Sequence, residues 1–256
     1  MSAKAKSKKN LLGLAIVIIA LAAVCVVAYL MLAEPAGDAN VTEPTASDTA
    51  SVPQDTTATR PVQIDQVQEV GIDLGDGMSI IDVGRYTGAY MEDGTDEVVS
   101  GIMMIVVTNN GENDIQYANI SLPVGDQTAQ FTLSTLPVGA TVVLLEQNRM
   151  EYTEGSYTEA AASNVALFQT PMSLCEDRLQ IQTLDGVVNV TNISDSDIEG
   201  DIFIYYKNSA VDVYYGGITY RLRLEGGMKA GEIRQLMASH FSEAGSTIMF
   251  VTCGDN

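Results

Sequence analysis

Asp195, Asp197, Glu199 and Asp201 alternate along "DSDIEGDI" at residues 195–202. Hard carboxylate oxygens two residues apart on a turning backbone suit a calcium loop, with Gly200 at its sixth position and Ile202 at its eighth. Two departures count against an ion. Position five is Glu199 rather than Asp or Asn, and position twelve is Tyr206 where a bidentate Glu belongs. The competing reading is a solvated hairpin turn leading into a strand from Ile198. A second group of side chains follows in "YYKNSAVDVYYGGITYRLR". Tyr205, Tyr214, Tyr215 and Tyr220, with Lys207, Arg221 and Arg223, would give an aromatic and cationic face for a glycan or an acidic peptide. Cross-strand tyrosine pairs are also ordinary sheet stabilisers, and the chain has no tryptophan for sugar stacking.

Catalytic signatures are sparse. His240, the sole histidine, sits in "ASHFSEAGS" with no G-x-S-x-G elbow to name a serine, so it reads as a loop residue. There is no P-loop lysine, no CxxC and no His-x-x-x-His, which leaves phosphate transfer and zinc chemistry without their minimum parts. No catalytic residue and no required cofactor is expected. Calcium is the one ion that the sequence suggests.

All 33 acidic residues lie at or after Glu34, whereas Lys4, Lys6, Lys8 and Lys9 precede it, so residues 34–256 carry a net charge of −24. Such a surface repels phosphate backbones and excludes nucleic acid as a partner. Between Asn10 and Glu34 runs "LLGLAIVIIALAAVCVVAYLMLA", uncharged throughout. As a helix it is about 34 Å long at 1.5 Å per residue, enough to span a bilayer core. The expected arrangement is a cytoplasmic basic segment (1–10), a transmembrane helix (11–33) and an extracellular C-terminal body in the cell membrane. A cleaved signal peptide is the alternative, disfavoured by the bulky Met31 at the −3 position and by the length of the apolar run. Residues 34–61, rich in Pro, Thr and Ser, predict a disordered stalk. Cys25 falls in the apolar segment. Cys175 and Cys253 lie near the two ends of the second half, where an oxidising compartment would allow a bridge, the alternative being two separate thiols.

Beyond the stalk the hydrophobic period becomes two. "ITYRLRLE" (218–225) alternates as a strand with one wet face, while "GIMMIVVT" (101–108) and "DIFIYYK" (201–207) read as central strands buried on both faces. Turn punctuation recurs at Asp93-Gly94, Asn110-Gly111, Asp185-Gly186, Gly216-Gly217 and Gly226-Gly227. One segment breaks the pattern. Ser156 and Glu159 have capping-box spacing before three alanines, which predicts one or two helical turns over 157–163.

"VTNNGENDI" (107–115) and "VTNISDSDI" (190–198) match at an offset of 83 residues, and "LPVGA" (136–140) resembles "MKAGE" (228–232) at an offset of 92. A corner written twice at this spacing implies a duplicated sandwich, one copy at 62–170 and one at 171–256. Asn109 and Asn192 would turn the chain by adopting the left-handed conformation or by bonding their own backbone two residues on. The pattern V-x-N-x-S-D-x-D-I resembles the Ig-like modules found outside the membrane in Gram-positive bacteria, of the FxLYD type, over residues 187–251 and more faintly over 98–147. The aromatic-Leu-Tyr-Asp string of that family does not occur here. The resemblance implies an accessory or binding module with no catalytic residues to carry over. The expected fold is therefore all-β, two tandem Ig-like β-sandwich modules after an anchor and a stalk. The expected function is non-enzymatic binding, adhesion or scaffolding at the cell surface, toward an envelope glycan or protein. Its rivals are an enzyme or sensor ectodomain working on envelope polymers through carboxylates, and a subunit of a larger membrane assembly, which an apolar exposed edge strand would indicate.

Overall fold

The computed structural model describes residues 62–211 and 213–254. The expected basic segment, transmembrane helix and stalk lie outside the described residues. Within them the regular structure is all strand. The first half supplies β1 (Gln63–Gly75), β2 (Met78–Ala89), β3 (Val98–Asn109), β4 (Ile115–Val124), β5 (Gln127–Leu136), β6 (Thr141–Leu145) and β7 (Ala161–Leu167). The second supplies β8 (Leu179–Leu184), β9 (Val187–Asn192), β10 (Ile202–Ala210), β11 (Val213–Leu224), β12 (Ile233–Met237) and β13 (Ser246–Thr252).

These strands form three open sheets. The largest runs β1-β2-β3-β6-β11-β10-β13, and two of three strands each run β5-β4-β7 and β12-β9-β8. Alternation decides what each face meets. Ile80, Val83, Ile105 and Leu144 from the large sheet close on Ile120, Leu122, Phe131 and Leu133 from the β5-β4-β7 sheet. Val188 and Val190 of β9 close in the same way on Ile202, Ile204 and Val251. Each such side chain, fully removed from water, contributes about 1.5–3 kcal/mol, and these contacts hold the sheets together as sandwich-like layers. β3 is a central strand buried on both faces over most of its length, as its apolar run predicts, whereas β10 is interior in the sheet but closed on one face only, with Phe203 and Tyr205 half-buried on the other.

The halves share the large sheet. Val213, Tyr214 and Tyr215 of β11 pair parallel with Thr141, Val142 and Val143 of β6. Gly216-Gly217, expected as a turn, lies inside β11 at this seam. There the strand passes so close to β5 that a Cβ on Gly217 would sit 1.7 Å from the Thr132 carbonyl oxygen.

The predicted helical turn over 157–163 does not form. Residues 152–160 are irregular, and β7 follows, pairing with β4 from Ser121↔Ala161 to Ile115↔Leu167. Three alanines favour a helix weakly, and a single turn fixes several dihedrals for one hydrogen bond. The open edge of β4 offers a whole ladder instead.

The corner is built twice with the same bonds. Asn109 Nδ2 donates to the Asn113 and Leu136 carbonyls at 2.9 and 3.1 Å, while its Oδ1 accepts the Gly111 N–H at 3.0 Å. Asn192 Nδ2 donates to Ser196 O, Met228 O and Lys229 O, and its Oδ1 accepts the Ser194 N–H at 3.0 Å. The bond to the backbone two residues on is as expected, but the left-handed conformation is absent at both asparagines. The side chain crosses to a second strand pair, so the backbone need not turn sharply. Asp114 accepts the Val138 N–H and Asp197 the Ala230 N–H, again at offsets of 83 and 92. The ladders beyond the corner keep those offsets. Thr108↔Thr141 through Met104↔Leu145 in the first half become Thr191↔Ile233 through Val187↔Met237 in the second.

Candidate binding face

Strand β10 turns Ile202, Ile204 and Tyr206 into the second core and leaves Phe203 and Tyr205 on the outer side of the sheet. Its two neighbours add matching residues. Phe203 faces Arg223 and Tyr205 faces Arg221 on β11, while Tyr205 faces Phe250 on β13. The Tyr205 and Phe250 rings stack at 4.1 Å between centroids and 10° between planes, and Phe168 meets Phe250 edge-on at 5.2 Å. The Arg221 guanidinium lies 5.1 Å over the Phe203 ring. Arg223 is tied at 2.6 Å to Asp201 and at 2.9 Å to Glu225. Its bonds to Asp201 hold that carboxyl below the ordinary carboxylate value, after the larger effect of the Gly226 N–H.

A groove of about 320 Å³ continues from this strip, walled by Phe168, Met172, Arg178 and Phe250 and floored near Cys175 and Cys253. The two cysteines are free thiols. Burial and then a hydrogen bond with Cys175 push the Cys253 thiol up to about 12, which suppresses its thiolate near neutral pH. An aromatic strip flanked by guanidinium groups can stack on a flat ring or sugar face and pair with a carboxylate.

The other residues expected on such a face are elsewhere. Tyr214 packs against the first core, and Tyr215 packs on a separate cluster with Tyr86, Met104 and Leu145. Tyr220 stacks between Tyr206 and His240, at 4.9 and 5.2 Å. Lys207 is fully buried, because a bulge between Tyr206 and Asn208 turns two consecutive side chains inward. Its Nζ donates to Ser134 O and Ile218 O at 2.9 Å each, and to Gly217 O at 3.3 Å. Burial lowers the Lys207 pKa and raises that of Glu92, and the pair's attraction opposes both shifts. Glu92 accepts the Leu145 and Gly217 N–H groups at 2.7 and 2.6 Å. Glu92 thus ties β6 to β11, and Lys207 ties β10 to β11 and β5.

The four carboxylates proposed as calcium ligands are not gathered around one point. Asp197 is held by Lys229 Nζ and the Ala230 N–H, and Asp201 by Arg223 and the Gly226 N–H. Among the described residues, no group of three or more His, Cys, Asp or Glu side chains is placed to hold a metal ion. His240 lies with Nδ1 3.1 Å from Asp96 Oδ2, as a loop contact between the two halves. Glu146, fully buried, accepts the Gln130, Asn148 and Met150 N–H groups and so orders a turn.

Reading along the chain missed Phe168, Phe203 and Phe250. Phe203 and Phe250 alternate with buried aliphatics in "DIFIYYK" and "TIMFVT", and that alternation was the available signal. Their meeting depends on β13 pairing with β10, which no local pattern states. No protein-family model matches the chain, and no curated protein sequence matches it significantly.

Proposed function

We propose that the chain is a membrane-anchored, extracytoplasmic binding protein of two Ig-like modules, non-enzymatic, and that its ligand lies across the outer face of β11-β10-β13. The observation that carries this reading is the continuous strip Phe168–Phe250–Tyr205 beside Arg221. The three rings are half-buried on the outer side of the sheet, rather than closed between its layers, so part of each remains accessible to a partner. The ligand class that suits them is a carboxylate-bearing envelope glycan or peptide. The acidic remainder of the body repels polyanions in general, so recognition rests on the local pairing of Arg221 with single carboxylates. Glu92 and Glu146 spend their oxygens on backbone N–H groups, which favours a structural role over acid–base chemistry for both.

The test is binding of solubilised envelope fragments to the full chain in detergent micelles, with and without calcium. Replacing Tyr205, Arg221 and Phe250 together by alanine should weaken binding by at least about tenfold, since each stacking or cation–π contact contributes about 0.5–1.5 kcal/mol. Binding unchanged in the triple variant would overturn the proposal, and a strict requirement for calcium would move the site to the 195–201 turn.

A further inference from the structure

The duplication leaves one strand edge covered in the first copy and open in the second. In the first copy Ala140 O accepts the Asn109 N–H, so even-numbered residues of β6 point their backbone groups at β3 and odd-numbered ones point outward. Those outward groups are met. Thr141–Val143 receive β11, and the Leu145 N–H is held by the Glu92 carboxylate. In the second copy Glu232 O accepts the Asn192 N–H and Ala238 N donates to Gly186 O, so the counterparts Ile233, Gln235 and Met237 point outward in the same way. Among the described strands none lies beyond β12. Ile233 and Met237 are 69 and 76 per cent exposed, the two largest values among the exposed large hydrophobic side chains described.

We propose that this edge pairs with the β12 edge of a second copy of the chain, antiparallel about a two-fold axis at Gln235. The inference is independent of the ligand face on β10. Its occupant follows from self-complementarity. An antiparallel register centred on Gln235 sets Ile233 against Met237 of the second copy, Gln235 against Gln235 and Met237 against Ile233, all at hydrogen-bonded positions. The two exposed apolar side chains cover each other, and Arg234 faces Leu236 of the second copy, so no like charges oppose. A copy's own β11 tip cannot serve as the donor strand, because β6 already holds it. The pairing joins β8-β9-β12 of each copy into one six-stranded sheet and removes an open edge.

Cysteine cross-linking of the full chain in proteoliposomes tests it. In a background with Cys25, Cys175 and Cys253 replaced by serine, Gln235→Cys should form a disulfide-linked dimer on addition of oxidised glutathione, which takes up the two electrons released. Leu184→Cys, also exposed but at a hairpin end, should stay monomeric. Adding Ile233→Lys and Met237→Lys should cut the Gln235→Cys dimer at least about tenfold by opposing like charges at the edge. Both lysines replace exposed side chains, so circular dichroism should match that of the parent. Absence of the Gln235→Cys dimer, a yield no higher than that of Leu184→Cys, or a yield untouched by the lysines would each overturn the proposal.

Discussion

Asn109 and Asn192 do at the residue scale what a turn sequence alone could not. Each is fully buried and ties its own loop to the returning strand through side-chain amide bonds to two or three carbonyls. Removing the amide strands those carbonyls, so Asn192→Ala should cost about 2–4 kcal/mol in urea unfolding. A loss below about 0.5 kcal/mol would mean the corner is held by its backbone alone. Asp82 gives a pH-dependent case. Burial, and then Glu69 paired across from it, raise its carboxyl above the ordinary 3.8. The folded chain then binds this proton more tightly than the unfolded one, and Asp82 loses stability for the fold as pH rises from 3.8 through the raised value. Asp82→Asn should therefore match the parent's unfolding free energy in urea at low pH and exceed it at neutral pH by less than about 1 kcal/mol. The asparagines were legible in the sequence because the repeat printed them twice. The aromatic strip was not, since its rings come from three separate segments and meet only through strand pairing.

At the scale of elements, the alternation in "ITYRLRLE" and the doubly apolar run of β3 mark strands and their burial, because burial imposes a period that a short window reveals, while the apolar run of β10 marks a strand but not its half-buried outer face. Gly216-Gly217 failed as a turn for the opposite reason. A glycine pair marks either a reversal or a close approach, and only the packing of β5 against β11 separates the two. Gly217→Ala should destabilise by about 3 kcal/mol, because the obstacle is a backbone carbonyl that cannot rotate away. Gly155→Ala, with nothing within 4 Å of the added carbon, is the control and should change little. Equal melting temperatures for the two variants would contradict the close approach. The 157–163 segment joins a strand rather than the expected helical turn because local helix preference competes poorly with an open sheet edge.

At the scale of the whole described body, three buried apolar clusters pack on one seven-stranded sheet, and buried side chains from both halves, Glu92 and Lys207, meet backbone groups where the halves join. The repeat predicted two strand-built halves but not that an edge of one would continue the sheet of the other, since parallel pairing of β6 with β11 leaves no mark on either strand alone. The resulting body is strongly acidic, and the stacked rings and arginines on the outer side of β10 are a local exception to that charge. Hydrogen–deuterium exchange of the full chain with and without envelope fragments tests the central claim most directly. The account predicts slowed exchange concentrated in residues 202–206, 220–224 and 248–252 on addition of fragments. Protection confined to other strands, with these three segments unchanged, would contradict it.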